Sequence, residues 1–315
     1  MRYYNLVLSG GISFTSFVNG QTDPGALQIE MDVYVGPSHV VLPNSYIRIW
    51  CIPINYITQA RNFAGQTISV FGGMKPGLPL SNTQPPSGLL FQGGIFWQSG
   101  NWQGTDMTLE FQLVPTPPTQ PAPANFTFFW KKGTKLSTAL SDTLTAALPK
   151  FKQIGISNIN QNLMATEDVT HFCRTASQFG QFVNQISAAQ IGGTYPGVSL
   201  VFNNQTVTAF DGTTPQKTVT LNFYDLVGQP TWVGLATVSV KTIMRADITV
   251  NDYIILPPGQ VTTTPQSLSQ FRQGSVFQGK FQVTQARHVG NFRSPDGNSW
   301  CTEYQAVVAQ AAANG

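Results

Sequence analysis

Two neighbouring segments, 64–73 (AGQTISVFGG) and 88–114 (GLLFQGGIFWQSGNWQGTDMTLEFQLV), decide the fold class of this chain. In the first segment, Ile68 and Val70 alternate with polar neighbours, a pattern typical of a strand with one buried face. In the second segment, two apolar runs flank a glycine-containing turn at 100–104. The stretch therefore predicts three β-strands, and the last two form a hairpin.

A similar pattern recurs near the C-terminus. Residues 88–97 match residues 274–283 (GSVFQGKFQV), an offset of 186. An offset of 193 relates Glu110-Phe-Gln to Glu303-Tyr-Gln, which predicts seven extra residues in the final hairpin of the second copy. We infer two related β-domains in one chain. The 186-residue offset also relates upstream apolar positions: Ile68 and Val70 to Ile254 and Leu256, Ile54 and Ile57 to Val240 and Ile243, and Tyr46, Ile47 and Ile49 to Trp232, Val233 and Leu235.

The composition favours a protein that packs against other subunits. Charged residues make up only 10% of the 315 residues, against about 25% in typical soluble proteins. A surface of uncharged polar groups suits burial in an assembly, because an unpaired charge is costly to bury. The alternative is a soluble β-protein whose surface is rich in Thr, Asn and Gln.

Charge and cysteine usage exclude several classes of function. The net charge is +3 and no basic run is longer than 131–132, so neither nucleic acid nor an anionic membrane is an expected partner. No apolar run predicts a membrane span, and the N-terminus does not resemble a signal peptide. Cys51, Cys173 and Cys301 form no CxxC pair, which favours reduced thiols in a cytoplasmic product.

The chain divides into four segments. They are a first tube-like β-domain (1–114), a proline-rich connector (115–124), an α+β middle module (125–218), and a second tube-like β-domain with a short C-terminal tail (219–315). The predicted fold class is mainly β with an α+β insert: two related tube-like β-barrel or sandwich domains flank a small mixed module. In the middle module we expect strands at 126–130 and 154–159, a helix over 136–148, a second helix from Ser177 and a hairpin over 198–210. Residues 54–62 are compatible with a short helix or an irregular crossover.

The sequence contains no recognisable catalytic or metal-binding motif. GxSxG, P-loop and HExxH patterns do not occur. His39, His171 and His288 each lack a second ligand at metal-binding spacing. We therefore predict no catalytic residue, no cofactor and no metal site, and no enzymatic activity.

Two glutamates and three tryptophans could have a function in cleaving or binding carbohydrate. Glu110 and Glu303 occupy matching positions, but a glycosidase needs its carboxylates about 5–10 Å apart. We interpret them as paired or solvent-facing strand residues. Trp97, Trp102 and Trp130 could form a sugar-stacking platform, although core and interface positions are more common for tryptophan.

The duplication has a geometric consequence. Three chains in a closed ring would display six similar domains, so one face could meet a six-fold assembly and the other a three-fold one. The end of a phage tail poses this problem, because a hexameric tube must join a trimeric spike.

Segments along nearly the whole chain resemble one known family. They are 68–70, 88–95 and 104–109 in the first domain, 133–140 (GTKLSTAL) and 179–186 (FGQFVNQI) in the middle module, and 247–254, 279–283 and 300–303 in the last domain. The sequence resembles the baseplate hub proteins of tailed, contractile-type bacteriophages. The long loops 72–87 and 257–273 depart from the family pattern, and we expect them to contact neighbouring rings.

The resemblance implies a homotrimeric structural virion protein with two tube-like barrels per subunit. Such a hub caps the tail tube, seats the central spike and leaves an axial channel for DNA in transit. The implied partners are tube or tube-initiator subunits, the spike, the tape-measure protein and baseplate wedge proteins. The implied location is the tail baseplate, assembled in the bacterial cytoplasm without stable membrane association.

Four other functions remain open on the sequence. A carbohydrate-binding tail adhesin would depend on Trp97 or Trp102. A cell-wall hydrolase would need an active site, and a tail-tube subunit usually has one barrel per chain. The hub of a phage-like contractile injection device fits the same pattern.

Overall fold

The computed structural model describes residues 1–75, 87–115, 125–203, 205–212, 217–234, 236–257 and 279–309. Over these residues the protein is mainly β with a small helical content, which confirms the predicted fold class. Three hydrophobic clusters form the core; the first consists mainly of residues before 115 and also includes Val201, Met244, Val250 and Trp300. The predicted domain limits remain a prediction. The connector at 116–124 and the tail at 310–315 lie outside the described residues.

The strands before residue 115 form what we call the first unit. Its alternating sequence buries one face: Ile29, Met31, Val33 and Val35 point into the core while their neighbours do not. Residues 54–62, left open above, form a short helix followed by a 3₁₀ turn, Ala60–Phe63. The elements are β1 (Arg2–Leu8), β2 (Ser13–Thr15), β3 (Phe17–Val18), β4 (Gln21–Thr22), β5 (Ile29–Val35), β6 (Ser45–Trp50), α1 (Ile54–Thr58), β7 (Thr67–Met74), β8 (Gly88–Gln103) and β9 (Asp106–Val114).

The middle module has two small sheets and two helices. Leu136, Leu140 and Leu144 are buried on one face of the first helix. The expected strand at 154–159 is wrong, because Gly155 adopts a left-handed conformation (φ 74°) and the chain turns into a 3₁₀ segment, Ile156–Asn158. The elements are β10 (Phe126–Trp130), α2 (Leu136–Ala147), β11 (Lys152–Ile154), β12 (Val169–Cys173), α3 (Ala176–Ile191), β13 (Ser199–Asn203) and β14 (Thr206–Phe210).

The strands after residue 217 form the second unit. They are β15 (Thr218–Thr220), β16 (Thr231–Trp232), β17 (Thr237–Ile243), β18 (Tyr253–Ile255), β19 (Lys280–Asn291) and β20 (Trp300–Val308). Two 3₁₀ turns, Phe223–Asp225 and Gly297–Ser299, connect them. Val238, Val240, Ile254 and Tyr304 are fully buried in the core of this unit.

Both units contain the same order of six paired strands. The order is β5-β6-β9-β8-β7-β1 in the first unit and β16-β17-β20-β19-β18-β15 in the second. The one difference in direction is that β18 and β15 run parallel whereas β7 and β1 run antiparallel. β19 pairs with β5, so the two units lie edge to edge in one sheet. Among the described strands this sheet does not close into a barrel.

A β-bulge recurs at the same place in both units and fixes their alignment. In β8 the register shifts between Ile95 and Trp97, and in β19 it shifts between Val283 and Gln285. β8 and β19 are therefore related by an offset of 188 residues, not 186. The earlier match of 88–97 to 274–283 was displaced by two residues, a shift that leaves the inward and outward faces of a strand unchanged.

Two further parts of the sequence alignment need correction. Arg48 and Lys241 are the residues that face Glu110 and Glu303, so β6 and β17 are related by an offset of 193. The matches made for Tyr46, Ile47, Ile49, Ile54 and Ile57 were therefore wrong, and Leu235 lies outside the described residues. Seven residues between β6 and β7, around α1, have no counterpart. The second unit instead has two extra residues before β19 and five, not seven, in its last hairpin.

Candidate functional site

The described residues contain no cluster of three or more metal-ligating side chains. His39 is half-buried, and His171 is exposed and stacks on Phe182 with ring centroids 4.0 Å apart. His288 is buried, and its Nδ1 lies 2.9 Å from Thr302 Oγ1. Burial lowers the pKa of His288 to about 4. The structure thus distributes the three histidines over separate regions. Among the described helices, none is long and apolar enough to cross a membrane.

Two adjoining clefts lie between the middle module and the second unit. Both are lined by Asp211, Gly212 and Gln282. The Asp211 carboxylate accepts hydrogen bonds from the Asn160 amide at 2.6 Å and the Tyr195 hydroxyl at 2.8 Å. It therefore anchors loops of the middle module.

Glu110 and Glu303 each form an ion pair with an arginine on a neighbouring strand. Glu110 Oε2 lies 2.7 Å from Arg48 Nη2, and Glu303 Oε2 lies 3.5 Å from Arg287 Nη1. Four strand steps separate β9 from β20 in the sheet, which corresponds to about 19 Å at the usual strand spacing. That distance is about twice the largest separation used in glycoside hydrolysis. The pairing interpretation explains why both glutamates recur.

These ion pairs belong to a charged row that crosses the junction between the two units. Arg287 forms two hydrogen bonds to Asp32, each 2.8 Å long, diagonally across the β19–β5 pairing. These bonds raise the pKa of Arg287, whose guanidinium is cationic in any case. The row lies on the sheet face opposite the core and, in strand order, consists of Glu110, Arg48, Glu30, Asp32, Arg287 and Glu303.

The sequence pattern did not predict the charged row. Its members occupy the outward positions of alternating strands, and that periodicity was visible. The missing information was that β19 and β5, about 250 residues apart, are neighbours. Six of the few charges in the chain lie in this row, and the Arg287–Asp32 pair joins the two units.

The three candidate tryptophans do not form one platform. Trp130 is buried, and its indole N–H donates to the Thr134 carbonyl. Trp97 and Trp102 are exposed on β8, where they pair with Gln112 and Met107 in the ladder. The two tryptophans are five positions apart in the strand, an odd number, so they point to opposite faces. The geometry therefore does not support a shared sugar-stacking surface.

Exposed apolar side chains lie at two places along the sheet. The first is residues 96–103 of β8; among the described strands, only β9 pairs with residues 97–103. The second is the 223–233 segment, in which Thr231 and Trp232 pair with β17. The exposed side chains are Phe96, Trp97 and Trp102 at the first place, and Phe223, Tyr224 and Val233 at the second.

No protein-family model matches the chain, and no curated protein matches it. Solved structures do match its fold. A tail protein from Neisseria meningitidis MC58 aligns over 96% of this chain and 96% of its own, with 9% identity and a TM-score of 0.50. The 43 kDa tail protein of prophage MuSo2 from Shewanella oneidensis aligns over 98% of both chains, with 8% identity and a TM-score of 0.53.

This chain has a tail-protein fold. The same fold occurs in a chain of a PdpA–VgrG complex, which aligns over 98% of this chain and 65% of its own, with 8% identity and a TM-score of 0.53. The likeness extends over nearly the whole of the present chain. It therefore includes the middle module as well as both units.

Proposed function

We propose that this protein is a non-catalytic structural component of a phage-type tail. The support is a tail-protein fold over nearly the full length of the chain. The composition agrees, because a surface poor in charge costs little to bury between subunits. On this proposal the protein resides in the virion tail after assembly in the host cytoplasm.

More specifically, we propose that it is the hub at the end of the tail tube. The observation that carries this is the edge-to-edge pairing of two units with the same strand order in one chain. Three chains arranged in a ring would supply six such units, with true three-fold and approximate six-fold symmetry. That ring would join a hexameric tube to a trimeric spike and leave a channel for DNA.

The proposed neighbours follow from this position. They are the tube or tube-initiator subunits on the six-fold side and the central spike on the three-fold side, with tape-measure and wedge proteins nearby. The likeness to a chain of a PdpA–VgrG complex supports the same arrangement in a phage-like injection device as a second candidate. Isolation of the assembled particle, with or without packaged DNA, distinguishes the two.

The mass of the purified protein tests the ring. Sedimentation velocity, alone and with the tube and spike subunits, should give a species of three chains, about 103 kDa from 34.3 kDa each. A hexamer, or a monomer under every condition including both partners, contradicts the proposal. Titration from low to high concentration separates a weak trimer from a monomer.

The two long loops remain predicted ring contacts. Most of 72–87 and nearly all of 257–273 lie outside the described residues. Shortening both loops should block tail assembly while the soluble protein keeps its far-ultraviolet circular dichroism. Normal tails from the double deletion would refute this assignment of the loops.

A further inference from the structure

The last hairpin of the second unit contacts the first unit through its tip. The tip consists of residues 292–299, between the end of β19 and the start of β20. With the offsets of 188 and 193 residues, it corresponds to residues 104–106 of the first unit and is five residues longer. In the first unit the hairpin closes tightly, and the Trp102 indole N–H donates to the Gly104 carbonyl. The extra length is therefore not a general property of the repeated unit.

An arginine of the first unit binds this tip. The guanidinium of Arg2 donates hydrogen bonds to the carbonyls of Asn291, Phe292, Ser294 and Asp296. Its Cζ also lies 6.0 Å from the centroid of the Trp300 ring. A guanidinium carries five N–H donors in a planar fork, so one side chain can bind several carbonyls of a single turn. Arg2 thereby fixes the shape of the tip.

The tip carries an arginine that binds the first unit in the same way. Arg293 Nη2 donates to the carbonyls of Pro24 and Ala26, in the loop before β5. Next to it, the Phe292 amide donates to the Ile29 carbonyl at 3.0 Å. Each of the two arginines therefore binds backbone carbonyls of the other unit, and the contact is fastened from both sides.

The same hairpin supplies part of the first unit's hydrophobic core. Trp300 is buried there, and its indole N–H donates to the Gly73 carbonyl of β7 at 2.9 Å. Phe292 packs edge-on against Tyr4 of β1 and against Trp300, with ring centroids 4.9 and 5.9 Å apart. Without the hairpin, this core would contain a cavity and the Gly73 carbonyl would lose its donor.

Strand β5 depends on the hairpin for one of its two neighbours. Residues 286–291 of β19 pair with residues 30–35 of β5, and the tip follows immediately. A strand edge without its neighbour presents unpaired N–H and C=O groups, which can pair with a strand of another chain. Binding of the tip to the first unit keeps β19 on β5, so this edge stays closed.

We propose that residues 292–299 are a clasp that completes the first unit and protects β5 from pairing with other chains. The first unit is synthesised before the hairpin, so until the hairpin is added its core lacks Trp300 and the β5 edge is uncovered. Arg2 and Arg293 then hold the clasp closed. When the clasp opens, chains associate through β5. The clasp is a property of the single chain and does not depend on the proposed ring.

Hydrogen exchange of the full chain, measured by mass spectrometry of peptides, tests the clasp. The variant Arg2→Met with Arg293→Met removes the donors and keeps long side chains. Exchange of residues 2–8 and 29–35 should rise at least about tenfold, because these strands open more often when the tip is released. Exchange of residues 237–243, in β17, should change less than about threefold. The matched control, Arg61→Met with Arg174→Met, changes two exposed arginines outside the clasp and should match the parent.

A second variant replaces the whole tip. Residues 292–299 are exchanged for residues 104–106 (Gly-Thr-Asp), the tight turn of the first unit. This variant lacks both Phe292 and Arg293, so residues 2–8 and 29–35 should exchange as fast as in the double variant. In light scattering at equal concentration, both variants should form larger species than the parent, because the β5 edge becomes available for pairing.

A disulfide distinguishes opening of the clasp from a general loss of stability. Glu30 and Asn291 face each other in the β5–β19 ladder, where opposed Cα atoms lie about 4.5–5.5 Å apart, within disulfide range. We add Glu30→Cys and Asn291→Cys to the double variant, in a Cys51→Ser background that removes the exposed thiol. After oxidation, exchange of residues 29–35 should return to within about threefold of the parent and the larger species should disappear. Reduction should reverse both effects.

Several results would overturn the clasp. Unchanged exchange in residues 2–8 and 29–35 would show that the two arginines do not hold the tip. An equal rise in both units would show a general loss of stability and no local opening. Larger species that persist after oxidation would show that association does not use the β5 edge. A protein that never forms a trimer, even with tube and spike subunits, contradicts the proposed ring and leaves the clasp in place.

Discussion

Acid should destabilise this protein through His288. The imidazole is 3% exposed; His288 lies on β19, opposite Thr302 of β20 and Val33 of β5, with Thr302 Oγ1 at 2.9 Å from its Nδ1. In the unfolded chain the same group has a pKa of about 6.5. Burial alone lowers the pKa in the fold to about 4, because the cation loses its hydration there. The folded state therefore holds His288 neutral where the unfolded chain would bind a proton.

The size of the effect follows from that difference. A depression from 6.5 to about 4 corresponds to about 3 kcal/mol once complete. The stability associated with keeping His288 neutral is fully present above pH 6.5, decreases as the pH falls, and is lost by about pH 4. At pH 5 the linkage relation gives a loss of about 2 kcal/mol.

Urea unfolding at pH 7 and pH 5 measures this loss. The comparison is between the parent and His288→Asn, which retains a polar group near Thr302 but does not titrate in this range. The variant should lose about 2 kcal/mol less than the parent between the two pH values, while carboxylates contribute equally to both. His171→Asn removes an exposed imidazole in the middle module and should behave as the parent. An equal acid loss in the parent and in His288→Asn would contradict the assignment.

Two further predictions concern the sheet. A double-mutant cycle with Arg287→Gln and Asp32→Asn should give a coupling free energy of at most about 1 kcal/mol, because the arginine is 37% exposed and salt should reduce the value further. No coupling at low salt would show that this pair does not hold the junction. Gly93→Ala should lower the free energy of unfolding by more than about 3 kcal/mol, since its new methyl would lie 2.0 Å from the Val114 carbonyl oxygen. Gly297→Ala meets no atom within 4 Å, so its denaturant midpoint should equal the parent's.

The recurrence of a β-unit could be predicted from sequence because alternation is a local property. A strand with one buried face can be predicted from the spacing of Ile29, Met31 and Val33, without knowing which strand pairs with it. The exact alignment of the two units could not be predicted from the sequence. A two-residue shift of β8 keeps every side chain on the same face, so the pattern alone could not distinguish offsets of 186 and 188. The bulges at Phe96 and Thr284 resolve the ambiguity, and they are features of pairing.

The alternation and composition of the sequence were enough to predict the mainly β class, the mixed middle module, the recurrence of Glu110 at Glu303 and the low charge content. The sequence did not indicate that β19 lies beside β5 or that Arg287 meets Asp32; these contacts became visible in the folded chain. The physical reason is the range of the forces involved. Burial of a strand face depends on neighbouring residues in the chain, whereas hydrogen-bonded edges join whichever strands the completed fold brings together.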